Sequence, residues 1–124
     1  MSKEDFYKFL CQDIQGACAG VRLSRRSEKV LQDELEKYFT KFGLKFVREL
    51  ALSREDRPDF LFDNGVALEC KVENALEKHL RQCKRYAEHE QVTGIILVAM
   101  RPYQMPETLS GKPCFCLNFA NKCL

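Results

Sequence analysis

The sequence predicts an α/β domain in which a mixed central β-sheet is flanked by helices. Three observations carry this expectation. Apolar residues recur at helical spacing in two separate segments. Gly94-Ile95-Ile96-Leu97-Val98-Ala99-Met100 is a continuous apolar run of the kind buried on both faces of a sheet. Asp63-Asn64-Gly65 supplies turn chemistry between two short apolar runs, so a hairpin is expected there.

Taken in order, Phe6, Phe9, Leu10 and Ile14 lie close to helical spacing, with Lys3, Glu4, Asp5, Lys8 and Asp13 between them. This predicts an amphipathic helix over 3–18 that ends near Gly16 or Gly20. The chain is basic around Arg22, Arg25 and Arg26, and Ser24 and Ser27 are candidate N-caps for the next helix. Val30, Leu31, Leu35, Tyr38, Phe39 and Phe42 define that second helix, and Gly43 stops it. Leu44–Leu50 partly alternates and reads as a strand. A polar loop, Ser53–Arg57, precedes the hairpin of Pro58–Phe62 and Val66–Val72. Asn74 is expected to cap a third helix over 75–90. After the apolar strand, a loop containing Pro102, Pro106 and Pro113 leads to a last short strand, Phe115–Phe119. The order α, α, β, β, β, α, β, loop, β argues for one domain over 1–124. Residues 1–22 form an N-terminal helical extension, 27–100 the core, and 101–124 a C-terminal loop and strand.

Composition excludes several classes. The 124 residues are 45% hydrophobic and 31% charged with a net charge of +2, which is ordinary globular composition and too little charge to argue for nucleic acid by itself. No apolar run approaches the roughly 20 residues of a membrane span. Met1-Ser2-Lys3-Glu4-Asp5 opens no secretory leader, so a cytoplasmic chain with reduced thiols is expected despite seven cysteines.

The chemistry concentrates in the hairpin, where Asp59, Glu69 and Lys71 interrupt otherwise apolar strands. Buried charges are costly unless they are paired or hold a metal. A two-residue turn at Asn64-Gly65 would set Asp59 opposite Cys70 and send Glu69 and Lys71 to the other face. A three-residue loop, Asp63-Asn64-Gly65 with Gly65 left-handed, pairs Phe62 with Val66 and sets Asp59 opposite Glu69, with Lys71 on the same face. That register also gathers Phe60, Phe62, Val66, Leu68, Cys70 and Val72 on the opposite face, so it is the one expected. Two adjacent carboxylates beside an ammonium suit a hard cation, magnesium (Mg²⁺) or Mn²⁺, with the backbone carbonyl of Cys70 as a further ligand. Lys71 would orient or polarise an attacking water.

Pro58-Asp59, nine intervening residues and Glu69-Cys70-Lys71 resemble the signature of the PD-(D/E)xK nuclease superfamily, strand–turn–strand context included. Gln82-Cys83-Lys84-Arg85-Tyr86 is similar to the Q-x-x-x-Y element that RecB-like members carry on the following helix. The resemblance covers roughly Glu28 to Met100 and is nearest to small single-domain members, the Holliday-junction-resolvase-like and short phage-type nucleases. It implies a restriction-endonuclease-like core (αβββαβ) and a Mg²⁺-dependent deoxyribonuclease, a structure-directed or low-specificity endonuclease of a bacterial or phage-infected cell. Asp59 and Glu69 would be metal ligands, and Gln82 and Tyr86 would buttress the catalytic set. The family's helical glutamate maps nearest to Gln32, so Glu28, one turn earlier on the same face, is preferred over Glu34 or Glu49. The alternative function is a catalytically silent nuclease-fold module that binds DNA or protein, for example a phage-encoded inhibitor.

Arg25, Arg26, Arg54 and Arg57 surround the expected cleft as candidate DNA-backbone contacts. Arg81, Lys84 and Arg85 form one basic helix edge, either a solvated face or a phosphate contact. His79 and His89 are read as surface residues. Cys70 and Cys83 are read as small buried hydrophobes. Cys114-x-Cys116, Cys123 and either Cys11 or Cys18 resemble in outline the iron–sulfur staple of some RecB-like nucleases, but their spacing departs from it, so packed thiols without a cluster are expected. So short a chain is expected to draw any sequence specificity from a protein partner. Paired cuts would call for a homodimer, with Ile95–Met100 and the N-terminal helix as candidate interfaces.

Overall fold

The computed structural model describes residues 1–24, 26–101 and 103–118. It is a mixed α/β architecture: a six-stranded sheet in the order β1-β2-β3-β4-β6-β5, flanked by helices. The strands are β1 (Phe46–Arg48), β2 (Phe60–Phe62), β3 (Val66–Lys71), β4 (Gly94–Ala99), β5 (Thr108–Leu109) and β6 (Lys112–Asn118). β1, β2 and β3 pair antiparallel, whereas β3–β4 and β4–β6 are parallel. The first parallel pair requires a crossover, which α4 (Leu76–Ala87) supplies.

The hairpin register is the expected one. Phe60 stands opposite Leu68 and Leu61 opposite Ala67, which continues to Asp59 opposite Glu69. Gly65 adopts φ +90°, and a Cβ there would lie 2.7 Å from the Thr93 Cγ2 and 2.9 Å from the Gln91 carbonyl oxygen. Both backbone conformation and space therefore demand glycine. Thr93 locks the turn by donating its N–H to the Gly65 carbonyl (2.9 Å) and its hydroxyl to the Asn64 carbonyl (2.9 Å).

The two sheet faces are covered by different helices. On one, α3 (Glu28–Lys41) and the N-terminal helical stretch bury Phe60, Phe62, Val66, Leu68 and Cys70 among Phe6, Leu31, Leu35 and Phe39. Phe39, Phe46, Phe60 and Phe62 meet edge to face at 5.3–6.2 Å, apart from the stacked Phe60–Phe62 pair. On the other face, α4 lays Cys83, Tyr86 and Ala87 over Ala67, Ile95, Leu97 and Cys114. Ser27 caps α3 by accepting the Val30 N–H at 3.1 Å.

Several expectations change. The first helix is not uniform: α1 (Lys3–Lys8) widens into a π-helical segment, Phe9–Ile14, before the short α2 (Gln15–Ala17). The widening keeps Phe9, Leu10 and Ile14 buried together. α4 begins one residue later than an Asn74 cap would allow; its N-cap is Ala75, and Asn74 Oδ1 instead accepts the Tyr103 hydroxyl at 3.1 Å. The C-terminal strand starts earlier than expected, at Lys112, and makes a second hairpin with β5. Its two-residue turn is Ser110-Gly111, with φ +50° and +77°, the positive values that two-residue hairpin turns favour. Phe119 and Cys123 lie outside the described residues. Finally, β4 is flanked on both edges and buried throughout, so Ile95–Met100 is core and not an interface.

Candidate active site

Asp59 and Glu69 face each other where the β2–β3 ladder ends, on the α4 side of the sheet. Each carboxylate satisfies a backbone donor of the opposite strand. The Asp59 N–H donates to Glu69 Oε1 (3.0 Å) and the Cys70 N–H donates to Asp59 Oδ2 (2.7 Å). N–H and C=O of one extended residue leave the same strand edge, so the Cys70 carbonyl opens on the Asp59 side. Lys71 Nζ lies 3.4 Å from Glu69 Oε2, and its side chain is only 12% exposed.

Helix α4 holds this pair from above. The Tyr86 hydroxyl donates toward Glu69 Oε1 and the Arg57 carbonyl, 3.2 Å from each, and accepts from Gln82 Nε2 at 2.9 Å. Gln82 and Tyr86 are four residues apart and thus neighbours on one helix face. Burial, followed by the charge of Glu69, holds the Tyr86 phenol above its ordinary range, so it is a neutral donor.

The electrostatics are those of a charge deficit. Burial raises the pKa of Asp59, and Glu28 adds to the rise against the Cys70 N–H, Lys71 and Arg48. Burial also raises Glu69, followed by the repulsion of Asp59. Burial works against the Lys71 ammonium, but Glu69, Glu28 and Asp59 outweigh it and hold its pKa above the ordinary value. One ammonium thus serves three carboxylates, and a hard divalent cation is a chemically fitting counter-charge. Among the described residues no three His, Cys, Asp or Glu side chains converge as a metal-holding group. A cation here would be held by Asp59 and Glu69, with the Cys70 carbonyl completing the protein's share, and Glu28 near enough to act through its charge.

Of the alternative glutamates, Glu34 is engaged elsewhere, its Oε2 accepting the Ser24 N–H at 3.0 Å. Glu49 is exposed, in the left-handed region at φ +53°, with its N–H donating to the Asp59 carbonyl. Gln32 of α3 accepts from Arg48 (2.8 Å).

Arg26, Arg54, Arg57, Arg81 and Lys84 are exposed, and Arg25 lies outside the described residues. Arg85 differs from them, since its Nε donates to Asp56 Oδ1 at 3.0 Å. Both histidines correct the surface reading. His79 is fully buried, its Nε2 3.2 Å from the Glu73 carbonyl, and half-buried His89 places Nε2 2.8 Å from Asp56 Oδ2. Cys18, Cys70, Cys83 and Cys114 are buried, Cys116 is half-buried and Cys11 is exposed.

Two contributors escaped sequence reasoning. Arg48 lies 4.9 Å over the Phe60 ring and reaches Gln32 and Glu36 of α3, while its charge favours ionised Asp59. A charged residue at an inward position of an alternating strand was the available signal. Asp56 had none, because its partners are 29 and 33 residues away.

Compared with known proteins, the chain matches no family model, no curated protein and no solved structure. No helix among the described residues is long and apolar enough to cross a membrane.

Proposed function

We propose that this chain is a metal-dependent nuclease that hydrolyses DNA phosphodiester bonds, with the restriction-endonuclease-like core implied by its resemblance to PD-(D/E)xK enzymes. The observation that carries the reading is the Asp59–Glu69–Lys71 constellation: two facing buried carboxylates with an ammonium 3.4 Å from one of them. A bound Mg²⁺ or Mn²⁺ supplies Lewis-acid polarisation of the scissile phosphate and acidification of a water.

The chain's own groups do the rest. Lys71 lies beside Glu69 as an ammonium, which has three donors. It donates to the attacking water oxygen, or to phosphate oxygens as negative charge grows on them, in a site shielded from bulk water. Tyr86 and Gln82 fix the Glu69 carboxylate, so that it does not rotate away when the cleft is empty. The exposed arginines and Lys84 offer sequence-independent phosphate contacts, consistent with low sequence specificity. The test is a panel of double-stranded, single-stranded, nicked, flapped and four-way DNA with Mg²⁺ or Mn²⁺, beside RNA. Metal-dependent cleavage of at least one DNA form is expected. Metal binding without turnover on any of them would favour a silent binding module instead.

A further inference from the structure

Helix α4 holds the Asp59–Glu69 hairpin at a second place, the loop that delivers Asp59. The Asp56 carboxylate accepts from Arg85 Nε at 3.0 Å and lies 2.8 Å from His89 Nε2. One residue on, the Arg57 carbonyl lies 3.2 Å from the Tyr86 hydroxyl, the same hydroxyl that stands 3.2 Å from Glu69 Oε1. The connection from Asp56 to Asp59 has little slack. It consists of Arg57 and the buried Pro58, whose ring fixes one φ and confines the residue before it to extended backbone. Past this connection the Asp59 carboxylate rests on the Cys70 N–H at 2.7 Å, and the Asp59 N–H donates to Glu69 Oε1 at 3.0 Å. His89 is held in turn from the C-terminal hairpin, where Lys112 Nζ donates to its carbonyl at 2.6 Å.

We propose that Asp56, Arg85 and His89 are positioning residues of the Asp59–Glu69 site: by fixing the loop to α4 they seat the Asp59 carboxylate on the Cys70 amide and set its spacing from Glu69. Both carboxylates are then referred to one rigid element. Gln82 and Tyr86 brace Glu69 directly, while Arg85 and His89 brace Asp59 through Asp56. Gln82, Arg85 and Tyr86 on α4 and His89 just past its end recur at i, i+3, i+4 and i+7, so a single helix face carries all four braces. The site needs such bracing. Asp59 and Glu69 repel each other, and the pair keeps its spacing only if each carboxylate is anchored from outside it. That this spacing serves a cation and cleavage rests on the nuclease reading; the seating of Asp59 does not.

Amide hydrogen exchange by NMR on the full chain, without metal or nucleic acid, tests the seating by itself. In Asp56→Ala and in His89→Leu the Asp59 and Cys70 amides are expected to exchange roughly tenfold faster. His89→Gln, which keeps a donor in place of Nε2, should hold both amides near their wild-type rates. Phe6→Leu is the control for lost stability. The Phe6 ring packs on Gly94, which pairs with Val66 at the opposite end of β3 from Glu69 and Lys71, so this variant should leave the two amides unchanged. The two clamp variants are independent, so a folding failure in one leaves the other to decide. Plasmid cleavage in Mg²⁺ then reads the consequence: kcat should fall roughly tenfold in the clamp variants, with KM for DNA within about twofold of wild type. Wild-type exchange at Asp59 and Cys70 in the clamp variants overturns the proposal, as does equal acceleration in Phe6→Leu or in His89→Gln. A raised KM with kcat unchanged overturns it too. A chain whose clamp variants loosen these amides but whose wild type cuts no DNA refutes only the nuclease reading.

Discussion

Two buried acidic sites lie within a few residues of each other and have opposite character. Asp56 sits in the loop before β2 with its side chain 9% exposed, and it is answered in full by Arg85 and His89. Although burial opposes it, those two partners lower its pKa. Asp59 and Glu69 are equally buried but face each other, with one lysine beside Glu69, and their pKa values rise. The same helix, α4, serves both: Arg85 closes the first site while Gln82 and Tyr86 brace the second. A saturated carboxylate holds a loop in place, whereas an under-compensated pair leaves negative charge unanswered, which is the ground for the cation proposed above. Burial is thus common to both sites, and the difference in compensation separates a clamp from a candidate catalytic centre.

The largest effect is expected at the Asp59–Glu69 pair. Exchanging Asp59→Asn together with Glu69→Gln should weaken Mn²⁺ binding about a hundredfold or more by calorimetry while leaving the fold intact. If binding persists, the pair is not the cation's seat. At the clamp the expectation reverses. Asp56→Ala should lower unfolding free energy by about 2 kcal/mol in urea, because it leaves the His89 and Arg85 donors without their acceptor; Arg85 is partly solvated, which keeps the loss moderate.

Acidity sharpens the contrast further. A carboxylate with a raised folded pKa costs stability once the unfolded chain ionises. Without metal, the pair should therefore erode stability as pH rises from about 4, the ordinary carboxylate value, toward its raised folded values. Asp56, with a lowered pKa, contributes stability above the ordinary carboxylate value and loses it as pH falls through its depressed one. Urea midpoints against pH should accordingly show Glu69→Gln flattening the neutral side and Asp56→Asn the acid side. Interchanged effects would contradict the assignment. The smallest change is expected for Tyr86→Phe, which leaves the ring packed but frees Glu69 Oε1 from one donor. Cleavage should fall about tenfold with little change in melting temperature.

The hairpin was legible in the sequence because its two faces impose independent demands. Only one register gathers Phe60, Phe62, Val66 and Leu68 on one side while bringing Asp59, Glu69 and Lys71 together on the other. The α3 cap at Ser27 and the stop at Gly43 were legible for a similar reason, as they are local chemistry. The Asp56 clamp was not, because nothing within its loop announces a histidine and an arginine from the far end of α4. His89 was misread for the same cause. The β5–β6 hairpin was missed although Ser110-Gly111 is a turn dipeptide, since the prolines around it suggested an irregular loop. The π-helical widening depends on how Phe9, Leu10 and Ile14 pack, which spacing alone does not specify.

In the proposed function Lys71 acts on phosphodiester bonds beside a metal-holding carboxylate pair. Cleavage of plasmid DNA in Mg²⁺ by wild type and Lys71→Ala, measured side by side at equal concentrations of folded protein, tests it most directly. The wild type should cut and the variant should be slower by roughly a thousandfold; equal rates in the two proteins, or no cutting by the wild type on any DNA form, would contradict it.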